Sequence, residues 1–383
     1  MLPRALLPLA RQRMVPGQVL LLLGARRTGK TTLLRQLVDD WPGRALVLNG
    51  EDQAVQQALS QRDATRLREL TSGHDLLALD EAQAVPGVGA LLKLLVDSQP
   101  GLAILATGSS SLDLGRDTGE PLTGRSRRLV LHPLALCELL PLENPVESAS
   151  RLEGRMLYGG YPEVATLTGD ADRRECLVEL ANAYLFKDIL QYEGIRRSDK
   201  LLRLLQLVAL QVGRQVSLDE LATQLGMGRN TVERYLDLLE QCHVVLRVGG
   251  FSRNLRTEIH KTSRWYFVDT GMRNTVLRNF QPLATRDDVG AIWENFLFME
   301  RRKRLDYERR FVNHWFWRTH GQQEIDLVEE EDGELRAWEF KWTRPNRDTA
   351  PSAWRTAYPQ ASFQVVHRDN HRAFVCMEER SHP

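Results

Sequence analysis

The chain has 383 residues, and its 51 Lys and Arg against 50 Asp and Glu leave a formal net charge of +1 at pH 7, so the whole protein is not a polycation. A content of 42% hydrophobic and 26% charged residues is that of a globular protein, and the length, too great for one core, suggests roughly two to four domains. No apolar run approaches the length of a membrane span. The cysteines Cys137, Cys176, Cys242 and Cys376 lie far apart without a C-x-x-C pair, which argues against a zinc or disulfide framework and fits a reducing cytoplasm.

Two short apolar patches near the start of the chain are interrupted by Arg4, Arg11 and Arg13; the second, Val19 to Leu23, reads as a buried strand rather than as part of a secretion signal. Directly after it, Gly24-Ala25-Arg26-Arg27-Thr28-Gly29-Lys30-Thr31 fits the pattern G-x-x-x-x-G-K-[ST] at every fixed position. Glycines let backbone N–H groups curl around a β-phosphate, a lysine neutralises β/γ charge, and a threonine hydroxyl ligates Mg²⁺. Gly24, Arg27, Thr28, Gly29, Lys30, Thr31 and Thr32 are therefore the nucleotide-binding candidates, with Thr32 to Asp39 continuing as a helix whose N-terminus faces the anion. ATP and Mg²⁺ are the expected cofactors.

Leu76 to Leu79 is an apolar run ending in Asp80 and Glu81, the pattern of a buried parallel strand that delivers carboxylates to its C-terminal edge. Asp80 would hold Mg²⁺ through water, and Glu81 would act as general base on the attacking water. A further strand, Leu102 to Ala106, runs into Thr107-Gly108-Ser109-Ser110-Ser111, where Thr107 and Ser109 are placed to sense a γ-phosphate, although such a turn is also ordinary loop chemistry. Arg125 precedes the strand Leu129 to Leu131. It is either a finger reaching a neighbouring subunit's γ-phosphate or a solvated surface residue.

Residues 1–135 thus read as a parallel sheet with helices on both faces, and 136–198 as a small helical lid interrupted at Tyr158-Gly159-Gly160-Tyr161-Pro162. Within 199–278, a strongly apolar helix from Leu201 to Val212 precedes a helix-turn-helix. Ser217 caps its first helix with Glu220 at the capping-box position, and Gly226 closes it. Arg229, Asn230, Thr231 and Arg234 would face outward at the start of the second helix, where a recognition helix meets the major groove. Val244 to Val248, followed by Arg253, Arg256, Lys261 and Arg264, resembles a wing, and Arg196 to Arg278 holds 14 Lys and Arg against 8 Asp and Glu. DNA is the expected partner, although domains of this kind also bind protein.

Residues 279–383 suggest a second site. Glu294 falls on a helix, Glu324 to Val328 is a strand, and Trp338 to Lys341 is its hairpin partner after Asp332-Gly333. Glu339 and Lys341, two apart, share a face, and Asp326 can approach Glu339 from the next strand. Glu294, Asp326 and Glu339 would hold a divalent metal, with Lys341 helping to position or deprotonate a water for phosphodiester attack. The bland alternative is a hairpin of solvated charges. The flanking Trp338, Phe340 and Trp342 argue for a buried strand, on which charges require partners. His314 and His320 lack metal-ligand spacing, and Trp315, Phe316 and Trp317 suit a core better than a base-stacking platform.

On these residues the chain resembles a widespread bacterial and archaeal family of ATP-binding proteins that join an AAA+ type ATPase to an uncharacterised C-terminal region with a winged helix and a PD-(D/E)xK nuclease-like fold. The resemblance runs nearly end to end. It rests on Gly24 to Thr32, Leu79-Asp80-Glu81-Ala82-Gln83 with Pro86, Thr107-Gly108-Ser109-Ser110, Gly124-Arg125 with His132-Pro133-Leu134, and Gly159-Gly160-Tyr161-Pro162-Glu163. Trp265 to Gly271, Trp293-Glu294-Asn295-Phe296, and Trp317-Arg318 through Glu324-Ile325-Asp326 to Glu339-Phe340-Lys341 complete it. The resemblance implies an α/β fold: a P-loop AAA+ parallel sheet with a helical lid, a winged helix-turn-helix and an α/β nuclease-like domain. It also implies a homo-oligomer, a ring or partial ring with a hexamer among the candidate sizes, in which Arg125 acts in trans and the C-terminal fold engages DNA. Arg155 is the substitute for a second sensor arginine in the lid. The expected function is an ATPase motor on branched or broken duplexes in the cytoplasm, and its rival is an ATP-switched regulator that binds DNA or protein without moving or cutting it.

Overall fold

The computed structural model describes residues 2–109, 122–183, 198–253 and 262–376. The chain divides into two compact units, one built on Met1–His132 and the other on Pro133–Glu240 with Val244–Pro383. Both are α/β.

In the first unit, strands β1 (Val19–Leu23), β2 (Ala45–Asn49), β3 (Leu76–Asp80), β4 (Ala103–Gly108) and β5 (Ser126–Val130) form one sheet in the order β2-β3-β4-β1-β5. Every pairing is parallel. A parallel sheet needs crossovers on its faces, so its central strands lose contact with water on both sides and read as unbroken apolar runs. β1 is buried at all five positions, and β3 at four of five. Their side chains pack with Leu91, Leu92 and Leu95 of the Val88–Ser98 helix and with Ile104 and Ala106 of β4 in a single core. The polar exception on β3 is its last residue, Asp80, because the strand ends there at the C-terminal edge of the sheet.

The second unit holds a seven-stranded sheet: β6 (Gln215–Val216), β7 (Val245–Gly250), β8 (Ser263–Phe267), β9 (Asn313–Arg318), β10 (Glu324–Glu331), β11 (Glu334–Phe340) and β12 (Ser362–Val366), ordered β12-β11-β10-β9-β7-β8-β6. The β7–β9 pairing is parallel, through Gly249 with Trp315 and Gly250 with Phe316, and joins the strands beside the helix-turn-helix to those of the C-terminal region. The hydrogen bond from the Phe251 N–H to the Phe316 carbonyl, 2.7 Å, extends it. Phe251 then enters an aromatic core with Trp317, Trp354 and Tyr358, so the sheet is continuous across the expected boundary near residue 278.

The helix-turn-helix has local causes. Ser217 accepts from the Glu220 N–H at 3.3 Å and caps Leu218–Leu225, and Gly226, left-handed at φ 57°, ends that helix as its C-cap. The Arg229–Gln241 helix follows, burying Val232, Tyr235, Leu236 and Leu239 at helical spacing.

Candidate active site

The first unit brings the nucleotide-binding candidates to the C-terminal edge of its sheet. Gly24 follows β1 at φ 147°, and a Cβ there would stand 2.2 Å from the Leu131 carbonyl oxygen, so no larger residue fits. The loop turns again at Arg27 (φ 58°) and Gly29 (φ 95°), and Gly29 begins the Lys30–Asp39 helix without a side-chain cap. That leaves the first-turn amides clear of any capping side chain, as an anion site requires. Thr28 is buried and donates to the Ala25 carbonyl at 2.9 Å; Arg27 and Thr32 are exposed and Thr31 half-buried. Lys30 is buried and folds back so that Nζ donates to the Gly24 and Ala25 carbonyls, both at 2.9 Å. Burial lowers its pKa to about 8 against the opposing pull of Glu81 and Asp80.

Arg4, which the sequence does not advertise, clamps this loop. Its Nη1 donates to the Thr28 carbonyl and its Nη2 to the His132 carbonyl, both at 2.6 Å. Thr28 is in the loop that follows β1 and His132 lies just beyond β5, so one guanidinium ties together two segments that leave neighbouring strands.

The catalytic candidates converge through Thr107. Its hydroxyl donates to Asp80 Oδ1 at 2.5 Å and accepts from the Glu81 N–H at 3.0 Å. β3 and β4 are adjacent in the sheet, which sets their ends side by side. Glu81 sits in the left-handed region at φ 48°, a conformation that costs a non-glycine residue about 1 kcal/mol or more and turns it out of the line of the strand. Gln83 Nε2 donates to Glu81 Oε2 at 2.5 Å and to Ser109 Oγ at 3.4 Å, tying the expected base to the expected γ-phosphate sensor. Gln83 appears in the sequence only as a neighbour of the acidic pair; nothing in its spacing marks this bridging role. Thr31 and Asp80 supply a hydroxyl and a carboxylate, the hard oxygen donors that suit Mg²⁺, and the ion would offset charge on the bound phosphates.

Arg125 pairs with Asp97 of its own chain at 2.6 Å, both side chains about 42% exposed. Ser110 and Ser111 lie outside the described residues.

In the second unit, Arg229, Asn230 and Arg234 are exposed and Thr231 half-buried at the start of their helix. Arg229 pairs with Asp219 at 3.3 Å, Arg234 lies 5.8 Å from the Tyr235 ring centre, and Arg253 pairs with Glu330 at 2.5 Å. Arg256 and Lys261 lie outside the described residues. Arg155 is tied to Glu143 at 2.5 Å.

The C-terminal carboxylates do converge. Opposite β9, the register of β10 slips between Ile325 and Val328, and Asp326 falls in that irregularity, where a bulge re-aims a side chain. Arg264 of β8, part of the basic stretch that resembles a wing, is buried among these acids. Its Nη1 lies 3.1 Å from Glu294 Oε1 and 3.4 Å from Asp326 Oδ1, and its Nη2 lies 3.2 Å from Glu324 Oε2. Tyr266, two residues along the same face of β8, donates to Glu294 Oε1 at 2.6 Å, and the Phe340 N–H donates to Asp326 Oδ2 at 2.8 Å. Burial and then Asp326 push Glu294 up to about 8; the same two causes raise Glu339 to about 7. Glu339 Oε1 accepts from Lys341 Nζ at 2.6 Å. As they stand, these acids do not fit a divalent cation, because a guanidinium lies between two of them; among the described residues no group of three His, Cys, Asp or Glu is arranged to hold a metal ion. His314 lies apart from this cluster, beside Glu329 at 3.8 Å, and Phe316 and Trp317 are buried in the core.

Residues 16–140 match the AAA domain family, and this part of the chain has an α/β fold with a P-loop sequence after its first strand. Residues 149–283 and 289–381 match two domains of unknown function, DUF8612 and DUF4143. An uncharacterized protein of Mycobacterium tuberculosis is 28% identical over 365 residues, covering 92% of this chain and 77% of its own length. An uncharacterized protein of Methanocaldococcus jannaschii is 24% identical over 374 residues, covering 92% of this chain and 82% of its own. Among solved structures, the RuvB Holliday junction branch migration motor of Thermotoga maritima is 22% identical, covers 63% of this chain and 87% of its own, and has a TM-score of 0.32. Among the described residues no helix is long and apolar enough to cross a membrane.

Proposed function

We propose that this chain hydrolyses ATP at the first unit's sheet edge and couples the reaction to action on DNA, as an oligomeric motor on branched or broken duplexes. The observation that carries the reading is the Thr107 hydroxyl joined to Asp80 and to the Glu81 N–H beside a phosphate loop whose lysine is buried. In the mechanism, Lys30 exchanges the Gly24 and Ala25 carbonyls for phosphate oxygens. Asp80 and Thr31 would hold Mg²⁺, which would offset charge on the phosphates, and Glu81 would take a proton from the attacking water. Thr107, bonded to the Asp80 carboxylate and the Glu81 backbone N–H, and Gln83, bonded to the Glu81 carboxylate and Ser109, would relay a change at the γ-phosphate to the base. Arg125 would leave Asp97 for the phosphate of a neighbouring subunit. The exposed Arg229, Asn230 and Arg234 on one helix support the DNA partner.

The test is the ATPase rate across duplexes, forks and junctions at rising salt. A motor is stimulated by particular DNA structures, and its binding weakens steeply with salt. Absence of stimulation by every nucleic acid, with no salt-sensitive binding, removes DNA from the reading.

The regulatory reading draws on the pairing of Arg229 with Asp219 and of Arg253 with Glu330, which already neutralises two expected phosphate contacts. It predicts preference for a DNA sequence, or for a protein, with little stimulation of turnover.

A further inference from the structure

Beside the Glu294 and Asp326 carboxylates opens a cleft of about 880 Å³, which Arg214, Arg264 and Arg318 line together with Glu324. A nuclease of this general kind needs carboxylate oxygens free to hold a divalent cation in a shell of oxygens. Here most of them are engaged. Glu294 Oε1 takes both the Arg264 guanidinium and the Tyr266 hydroxyl, Asp326 Oδ1 faces Arg264, and Asp326 Oδ2 takes the Phe340 N–H. Glu294 Oε2 lies against Gly213, where a Cβ would stand only 2.5 Å away, and Gly213 is left-handed at φ 73°.

Arg264 is built in rather than draped over the acids. Its side chain is 3% exposed, and its guanidinium lies 4.8 Å from the centre of the Phe316 ring. Arginine suits such a position because its planar cation stays charged when buried and pairs with several oxygens at once. Moving it would leave Glu294 and Asp326 uncompensated, which is the costly way to break a buried ion pair.

We propose that Arg264 permanently occupies the cation position of this carboxylate cluster, so that the C-terminal fold is a metal-free site that does not cleave phosphodiesters. The inference stands apart from ATP hydrolysis, since it concerns only residues of the second unit.

The experiment titrates full-length, nucleotide-free protein with Mn²⁺ and follows the free ion by electron paramagnetic resonance, comparing wild type, Asp326→Asn and Arg264→Met. The wild type and Asp326→Asn should bind Mn²⁺ equally, any shared binding lying elsewhere. Arg264→Met should gain one Mn²⁺ site at least about tenfold tighter, lost again when Asp326→Asn is added. Labelled DNA incubated with wild type and Mn²⁺ should remain intact. A wild-type Mn²⁺ site that disappears in Asp326→Asn overturns the proposal, as does a folded Arg264→Met that binds no more Mn²⁺ than wild type, or nicking of DNA by wild type that Asp326→Asn abolishes. Should Arg264→Met fail to fold, the wild-type and Asp326→Asn comparison decides alone.

Discussion

Replacing Lys30 with methionine should remove nucleotide binding and, at neutral pH, raise the stability of the nucleotide-free protein. Burial lowers the lysine from its ordinary 10.5 to about 8, so holding it charged at pH 7 costs about 3 kcal/mol, at 1.36 kcal/mol per pKa unit. Methionine keeps the aliphatic stem and removes the charge, but it forfeits the two hydrogen bonds to Gly24 and Ala25, worth about 1 kcal/mol each. The balance favours the variant by about 1 kcal/mol, or a few degrees in Tm. The sign with pH follows from proton binding. Between about pH 8 and 10.5 the unfolded wild type holds more protons on this lysine than the folded form, so wild-type stability rises with pH through that window relative to the variant. Differential scanning fluorimetry of both proteins from pH 7 to 9.5, with and without Mg-ATP, reads all of this. The variant should melt higher at pH 7, the gap should shrink toward pH 9.5, and ATP should shift only the wild type. A variant that melts lower than wild type at pH 7, with a gap that pH does not change, would refute the claim that the loop holds its lysine at a cost.

Glu81→Gln should lower kcat by about 10²- to 10⁴-fold with the ATP Kd nearly unchanged, read by steady-state turnover and equilibrium titration; unaltered turnover would remove the base assignment. Arg125→Ala should bind ATP normally and melt as wild type does, because its half-exposed pair with Asp97 contributes about 1 kcal/mol at most, yet lose roughly 10³-fold in turnover measured at concentrations where subunits assemble. Arg301→Met should destabilise the second unit by about 3–5 kcal/mol in chemical denaturation. It strips Glu329, which is 1% exposed and bound by Arg301 Nε and Nη2 at 2.9 and 2.8 Å, of its partner in the interior.

The first unit was legible in the sequence because its physics is local and repetitive. A buried parallel strand must be apolar along its whole length, so Val19 to Leu23 and Leu76 to Leu79 announce themselves, and the residues just past their ends fall at the sheet edge. Capping chemistry gave away Ser217 and Gly226 in the same way. What sequence spacing could not carry was partnership across the fold. Arg4 lies 24 residues from the loop it clamps and 128 from His132. Arg264 sits in a basic stretch that looks solvated, and only the pairing of β8 in the sheet and the aim of Asp326 from its bulge turn that arginine inward. The β7–β9 pairing likewise joins strands far apart in the chain by just two registered pairs, too few to leave a pattern in either strand.

The two units set a buried cation beside a pair of acids in opposite ways. Lys30 carries a single flexible ammonium held by two carbonyls and lies near Glu81 and Asp80, and burial has lowered its hold on its proton. On the proposed reading a triphosphate would offer it more than the loop does, and the side chain would change partners when nucleotide arrives. Arg264 presents a rigid fork. Burial works against its charge, but Glu294, Tyr266, Asp326 and Glu324 outweigh it and hold its pKa above the ordinary arginine value. The same elementary attraction therefore leaves a site open to exchange where the cation is a lysine on a phosphate loop, and closes one where the cation is an arginine on a sheet strand.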